Sequence, residues 1–453
     1  MERPETIQAY LETLGAQIRW KRARSPVVRE LEAHLEDQRE AFAAEGHLPE
    51  DAERLAVEEM GDPVALGAEL DRVHRPRPQW GLLTAALGLA LLGGVLRVWL
   101  TAGVEHESTN PLRTALALAL GCACLLGMYF LDYSRLLRRA GMIYLGALIL
   151  GALALRFSPV INGTSYYTRY VVLLYPTVYA LWLYHLRQRG WKGFFAAVSG
   201  GVPLAAVTLL APFFLGAVLL LLTGFVLLLA AVSMDWFGVS RSRAAGLTVG
   251  MAAGLSALLA AGCKAGFCKT RLTLFLHPEL DPLGGGYQAV MVRKALTSSR
   301  WLGTGSWDGP YPYERMVPEW NRDFLLTTVI HKLGCLPFLL LTVAAAGFLA
   351  WLLLRGLRQQ SQPGRLIALS VVLSLGLQAA ASVMQNLGYV LFSASMPLIV
   401  GNLISVVDMT LIGLVLSVFR GAFAGGDENF PGCGGTNWGG MASYLKKRCL
   451  YND

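Results

Sequence analysis

Asp323 is the residue of this sequence that best suits chemistry, because it stands directly before a long apolar run. A carboxylate at a partly desolvated membrane interface has a raised pKa, which suits a general base that works near neutral pH. Such a base can take a proton from a sugar hydroxyl presented at bilayer depth. The alternative is that Asp323 caps a helix starting at Phe324, since aspartate is favourable at a helix N-terminus. The two roles are compatible.

Basic side chains that can bind phosphate lie on both sides of this aspartate. Arg293 and Lys294 follow a GGGYQ segment, Arg322 directly precedes the aspartate, and Lys332 follows it. For Arg293 and Lys294 the alternative is snorkelling at the membrane interface. His331 and Lys332 are expected about two turns into a membrane span, where ionisable groups are costly and usually face a cavity.

Other polar residues complete the candidate set. The additional candidates for substrate binding are Tyr287, Gln288 and Glu319. The last two expected spans contain further polar residues, for which hydrogen bonding between helices is the ordinary alternative: Gln385, Asn386 and Asp408. The sequence has no HExxH pair, nucleotide-binding glycine loop or serine nucleophile elbow. We expect no protein-bound metal site, and Cys263 and Cys268 either pair or remain free thiols.

Most of these candidates belong to one long polar segment, Arg271 to Phe324, between hydrophobic runs. A loop of this length is uncommon unless it has a function. It contains Pro, Gly, Trp, Tyr and charges of both signs, which favours a shaped site over a slack tether. We therefore interpret the loop as the active surface and the hydrophobic runs as its platform.

Composition indicates a membrane protein. Of the 453 residues, 54% are hydrophobic and 15% are charged, whereas soluble domains carry about a quarter charged residues. The mean hydropathy is +0.46. The net charge of +8 is explained by basic cytoplasmic loops rather than by nucleic-acid binding. We predict an all-α polytopic protein with about ten transmembrane helices, which begin near Gly81, Leu112, Ala140, Tyr170, Gly193, Phe213, Ala244, Phe324, Leu366 and Pro397.

Orientation follows from arginine and lysine in the short loops. With about ten spans, the basic loops fall on the side of the N-terminus: Arg135, Arg138, Arg139, Arg187, Arg189, Lys192, Arg241, Arg243, Arg355, Arg358 and Arg365. This predicts cytoplasmic termini and one large extracytoplasmic loop, residues 263–323. An enzyme that faces outward has no ATP, so an activated lipid-linked sugar pyrophosphate is a fitting substrate.

Polar sequence flanks the membrane region. Residues 1–78 predict a separate cytoplasmic helical domain, since polarity continues too far for a signal peptide. Ser25-Pro26 and Asp62-Pro63 are each typical of a helix start. The segment resembles the prefix domain that precedes permease-like membrane proteins, which implies a regulatory or interaction role. Residues 421–453 are glycine-rich and predict a flexible cytoplasmic tail.

The loop motifs resemble those of the SEDS family (FtsW, RodA and SpoVE). The resemblance rests on HPELDPLGGGYQ, then ALTSSRWLGTGSW, then PEWNRDF, and it covers about residues 80–420. It implies a multi-pass bacterial cell-membrane glycosyltransferase that polymerises lipid II outside the membrane. The process is division, elongation or sporulation, and the implied partner is a class B penicillin-binding protein. The family motif PExHTDF places its catalytic aspartate on Asp323, with undecaprenyl pyrophosphate leaving, helped by basic residues or a divalent cation.

The sequence departs from the family pattern at several positions. His331 and Lys332 stand where the family usually has two acidic residues, and only Pro176 survives of the motif QPSExAK. Ser165 and Tyr166 replace the arginines that follow the family's NGA turn. These departures favour a first alternative, a non-catalytic scaffold for the transpeptidase. The polar residues of the last spans favour a second, a transporter of lipid-linked precursor.

Overall fold

A computed structural model describes residues 6–74, 78–102, 104, 111–161, 164–262, 267–359, 361–391, 393–399 and 403–421. Nearly all of the regular structure in these residues is helical, which confirms the predicted all-α class. The exception is a short antiparallel hairpin of β1 (Val160–Ile161) and β2 (Thr164–Ser165). The chain divides into two compact units, and the larger is Pro78–Arg420.

The N-terminal unit is a helical bundle around one apolar core. Its helices are α1 (Ile7–Gln17), α2 (Lys21–Ala44), α3 (Pro49–Met60) and α4 (Pro63–His74). Tyr10 and Leu14 are fully buried in this core. The predicted start at Asp62-Pro63 is confirmed, because the Asp62 carboxylate accepts the N–H of Val64 at 3.0 Å. The start predicted at Ser25-Pro26 is wrong: α2 begins earlier and runs through Pro26, which removes only one helical hydrogen bond near its first turns.

The larger unit consists almost entirely of helices. They are α5 (Trp80–Thr101), α6 (Pro111–Phe130), α7 (Tyr133–Arg138), α8 (Ala140–Phe157), α9 (Thr168–Val172), α10 (Tyr175–His185), α11 (Gly190–Leu210), α12 (Phe214–Ser233), α13 (Arg241–Gly262), α14 (Phe267–Leu276), α15 (Tyr287–Thr297), α16 (Tyr313–Met316), α17 (Leu325–Leu333), α18 (Cys335–Leu357), α19 (Gln362–Asn386) and α20 (Leu403–Arg420). A 3₁₀ turn occupies Pro278–Leu280.

Within the described residues, seven helices are long and apolar enough to cross a membrane: α5, α6, α8, α11, α12, α18 and α19. Helices α9–α10, α13 and α20 occupy the other runs that the sequence predicted to span. The break expected between the fifth and sixth spans lies at Ala211–Phe213, between α11 and α12. The chain is therefore a multi-pass membrane protein.

Helix α19 is at the centre of the larger unit and packs against α10, α12, α18 and α20. Helices α6 and α20 pack closely against each other, and small residues permit this approach. A Cβ on Gly121 would meet the Met409 sulfur at 2.4 Å, and one on Gly413 would meet the Leu125 carbonyl at 2.4 Å. Membrane helices commonly associate through small residues of this kind, because lipid offers no hydrophobic drive between helices.

The span predicted to begin at Phe324 is wrong in its starting point. Helix α17 ends at Leu333, and Gly334 follows with φ +107, a left-handed conformation that favours glycine. The membrane helix α18 then begins at Cys335. His331 and Lys332 consequently lie in a short helix before the span, not two turns inside it.

Two predictions fall outside the described residues. They concern the tail, of which only Gly421 is described, and the pairing of Cys263 with Cys268.

Candidate active site

The Asp323 carboxylate is held by two serine hydroxyls rather than by the helix that follows it. Ser395 donates to its Oδ1 at 2.6 Å, and Ser393 donates to its Oδ2. The residue that precedes α17, Phe324, makes no side-chain capping hydrogen bond, and the α17 N–H of Thr327 bonds to the side chain of Asn386 rather than to Asp323. The capping role considered from the sequence is therefore not observed, and the half-buried carboxylate is oriented by residues that lie after α19.

Buried amides at the end of α19 position both partners of this contact. Asn386 donates from Nδ2 to the Asp323 carbonyl at 2.9 Å, and its Oδ1 accepts the Thr327 N–H at 2.8 Å. Gln385 accepts the N–H of Ala394 at 2.6 Å, which fixes the serine-containing segment. Gln385 and Asn386 thus make hydrogen bonds between structural elements, which is the alternative role that their position in a span had suggested.

A small cleft opens beside the carboxylate. Its polar lining combines Asp323, Ser393 and Ser395 with the side chains of Arg169 and Gln378. Its apolar lining comes from the α9–α10 junction, the start of α12 with the residue before it, and α20: Leu173, Phe213, Leu215 and Ile404. The lining therefore suits a molecule that has both a charged group and a hydrocarbon part.

Arg169 is the cation of this cleft, and the sequence interpretation missed it. Its guanidinium interacts electrostatically with Asp323 and donates to the Tyr170 hydroxyl at 3.1 Å. It also lies 4.6 Å from the ring centroid of Tyr166, a cation–π contact. A signal existed, because Arg169 follows closely after Ser165 and Tyr166, where arginines were noted as missing.

A second set of charged side chains includes Glu319 and Arg322, which come shortly before Asp323 in the chain. These residues form an ion pair of 3.3 Å, and the buried Arg97 of α5 interacts electrostatically with both. Glu319 has φ +51, and its carbonyl accepts the N–H groups of Arg322 and Phe324. The turn at Glu319 comes directly before Asp323, so Arg322 is the neighbour of Asp323 in the chain.

The other candidates of the loop contact protein groups away from the cleft. Arg293 donates to the Gly388 carbonyl at 3.2 Å, Lys294 donates to the Asp308 carbonyl at 3.2 Å, and the Tyr287 hydroxyl donates to the Met316 carbonyl at 2.8 Å. Gln288 is exposed. None of these four lines the cleft at Asp323, and their assignment to substrate binding stays a prediction.

Lys332 belongs to a separate charged cluster. It pairs with Glu314 at 2.8 Å and donates to the Leu100 carbonyl of α5 at 3.1 Å. Burial would raise the pKa of Glu314, but the hydrogen bond and charge of Lys332 bring it below 4.5. Burial lowers the pKa of His331, whose ring stacks on Tyr313 at 4.4 Å. This cluster attaches the loop to the end of α5.

The side chains around the cleft offer few ligands for a metal ion bound by the protein. Among the described residues, no group of three His, Cys, Asp or Glu side chains comes together. Asp323 is the one carboxylate among the residues that line the cleft. Protein-held divalent cations take several oxygen ligands, although Mg²⁺ also binds through one or two carboxylates together with substrate phosphates. The residues present do not fit a metal site built by the protein alone.

Comparison with known proteins identifies the family. The sequence profile FTSW_RODA_SPOVE, described as cell cycle protein, matches residues 78–420. This chain belongs to the SEDS family. It is 28% identical to the peptidoglycan glycosyltransferase MrdB of Escherichia coli K12 over 156 residues, which are 33% of this chain and 41% of that protein. It is 30% identical to the probable peptidoglycan glycosyltransferase FtsW of Nitrosococcus halophilus over 156 residues, 33% of this chain and 39% of that protein.

This SEDS chain thus spans about two fifths of the length of the named relatives it matches. Solved structures cover more of it. A chain from a peptidoglycan synthase complex aligns with TM-score 0.61 and 22% identity over 77% of this chain and 99% of that one. RodA of Thermus thermophilus aligns with TM-score 0.53 and 20% identity over 76% and 98% of the two chains. These likenesses establish a shared fold.

Proposed function

We propose that this protein is a peptidoglycan glycosyltransferase that polymerises lipid II at the outer face of the bacterial cell membrane. One observation carries the proposal: a carboxylate, Asp323, oriented by two serines and accompanied by Arg169, stands in a cleft with a partly apolar lining. Relatives named as peptidoglycan glycosyltransferases support the reaction class.

The proposed chemistry uses Asp323 as the general base. Its carboxylate removes the proton of an acceptor sugar hydroxyl, and the sugar oxygen forms a bond to the anomeric carbon of the donor. The bond between that carbon and the pyrophosphate oxygen breaks, and undecaprenyl pyrophosphate leaves with the electron pair. Ser393 is exposed, so an acceptor hydroxyl can replace its hydrogen bond to Oδ2, while Ser395 keeps the carboxylate oriented through Oδ1.

Arg169 and Arg322 are the proposed phosphate ligands. A guanidinium recognises phosphate oxygens in two-pronged geometry and remains charged near neutral pH. Arg169 lines the cleft itself, and Arg322, paired with Glu319, directly precedes Asp323 in the chain. The apolar lining that includes Phe213 and Leu215 accepts the first part of the lipid chain.

The proposed topology places both termini in the cytoplasm and the 263–323 loop outside, because the short basic loops share the side of the N-terminus. Residues 1–78 form a cytoplasmic domain, residues 79–420 the membrane domain and residues 421–453 a tail. The proposed partner is a class B penicillin-binding protein, and the likeness to a chain solved in a peptidoglycan synthase complex supports it.

A non-catalytic scaffold for that transpeptidase is the second candidate. It is favoured because Arg293, Lys294 and Lys332 contact protein groups and leave one cation lining the cleft. Purified protein supplied with labelled lipid II, alone and with the partner, separates the two. Glycan polymer supports the enzyme. Activation of the partner without any polymer supports the scaffold, and movement of lipid II across vesicles without polymer supports a transporter.

A further inference from the structure

A turn of the polar loop, Arg300–Gly303, is fastened to the beginning of the membrane helix α18. The N–H of Cys335 donates to the Arg300 carbonyl at 2.9 Å, and the N–H of Leu336 donates to the Trp301 carbonyl at 3.1 Å. In the other direction, the N–H of Gly303 donates to the Leu333 carbonyl at 2.8 Å. Three backbone hydrogen bonds therefore hold the turn level with the first residues of a span.

Gly334 makes this close approach possible. A Cβ at position 334 would lie 2.6 Å from the Trp301 carbonyl oxygen and 2.8 Å from the Leu302 Cα, and its φ is +107. Both obstructing atoms belong to backbone, so no side-chain rotation relieves the contact. The position of Trp301 along the axis of α18 is thus set by backbone geometry.

The two side chains at the tip of the turn are large, apolar and uncovered. Trp301 is 76% exposed and Leu302 is 64% exposed. The side of α18 that follows is also apolar and exposed, through Leu336, Leu339 and Leu340. Because α18 crosses the membrane, these leucines have hydrocarbon as their solvent, and Trp301 and Leu302 continue that lipid-facing surface at its end.

We propose that the Arg300–Gly303 turn is an interfacial anchor, whose Trp301 and Leu302 insert into the leaflet at the α18 N-terminus. Tryptophan is enriched at this depth, where its ring is apolar and its N–H reaches water. The exposed Arg300 lies beside it in the chain and suits lipid phosphate. The occupant is the lipid surface, since the exposed tip is continuous with a face already covered by lipid. This inference is independent of the reaction proposed above.

Tryptophan quenching in bilayers tests the anchor. The full-length protein and its Trp301→Phe variant are reconstituted into phosphatidylcholine bilayers with and without bromine on the acyl chains. The difference between the two emission spectra isolates Trp301. We expect brominated lipid to remove most of this signal and aqueous acrylamide to remove little of it. In the Trp301→Phe background, Leu302→Trp should restore a signal with the same quenching.

Trp99 and Trp307 supply the matched controls. Trp99, 59% exposed at the end of α5, should be quenched by brominated lipid, whereas Trp307, which contacts Tyr313 and His331, should not. A Trp301 signal quenched by acrylamide and not by brominated lipid would overturn the anchor by placing the turn in water. A signal protected from both quenchers would overturn it in favour of coverage by protein, such as a second copy of this chain.

Discussion

The hydroxyl of Ser395, a residue that is 3% exposed, donates a 2.6 Å hydrogen bond to Oδ1 of Asp323. A buried donor of this kind fixes the direction of the carboxylate before substrate arrives. Ser395→Ala should therefore lower kcat by about tenfold or more, as expected for losing one hydrogen bond to a charged group. Polymer formation from labelled lipid II in proteoliposomes measures the effect.

Ser393 provides the comparison, because it contacts the other oxygen and is exposed. Ser393→Ala should reduce kcat much less than Ser395→Ala, since in the proposed mechanism the acceptor hydroxyl replaces its hydrogen bond. Equal losses in the two variants would contradict the assignment of Oδ2 to the substrate side.

Arg169 should act in binding rather than in proton transfer. Arg169→Ala removes the cation of the cleft, so KM for lipid II should rise and kcat/KM should fall by about tenfold or more. Arg169→Lys should recover part of the loss, because charge is kept while the two-pronged geometry is lost. A fall in kcat with unchanged KM would argue against phosphate binding by Arg169.

Gly334→Ala should destabilise the protein by about 1–3 kcal/mol, because its backbone is left-handed and a Cβ would strike the Trp301 carbonyl. Thermal unfolding in detergent measures the change. Gly347→Ala in the middle of α18 is the matched control, since a Cβ there meets nothing within 4 Å, and it should be neutral or slightly stabilising. Equal melting temperatures for the two variants would refute the close approach.

The ion pair of Glu314 with Lys332 should give an acid-side dependence of stability. Because the pKa of Glu314 is lowered from 4.5 in the folded protein, the pair stabilises above pH 4.5, and the contribution is lost as pH falls through the folded pKa. Glu314→Gln should therefore be less stable than the parent at pH 6, and the difference should shrink as pH falls below 4.5 and through the folded pKa of Glu314. His331, whose pKa is lowered from 6.5 by burial, destabilises the folded protein as pH falls below 6.5, and this effect is present in both proteins. A difference that persists at low pH would exclude the ion pair as its source.

Local sequence signals predicted most of the architecture. Long apolar runs predicted the helices, and the motif around Asp323 identified the carboxylate that lines the cleft. The break at Gly334 escaped notice because the chain is helical and largely apolar over a long stretch on both sides of it, and hydropathy does not register one left-handed backbone. The displaced start of α18 follows from that single glycine.

The partners of Asp323 were harder to predict because they are distant in sequence. Ser393 and Ser395 lie some 70 residues later in the chain. The sequence around them has no motif that distinguishes them from ordinary loop serines. Arg169 comes from another helix, before the loop. Conversely, Arg293 and Lys294 are close to the loop motifs in sequence, but their side chains donate hydrogen bonds to backbone carbonyls away from the cleft. Proximity in sequence did not predict which cation lines the cleft.

The most direct test of the central claim is glycan polymerisation by Asp323→Asn. The variant preserves shape, and its one amide oxygen can still accept the hydroxyl of Ser395, while basicity is removed. We expect polymer formation from labelled lipid II to fall by about a hundredfold or more, with lipid II binding retained. Asp308→Asn, which changes an exposed carboxylate of the same loop, should polymerise like the parent. Undiminished polymer from Asp323→Asn would contradict the account.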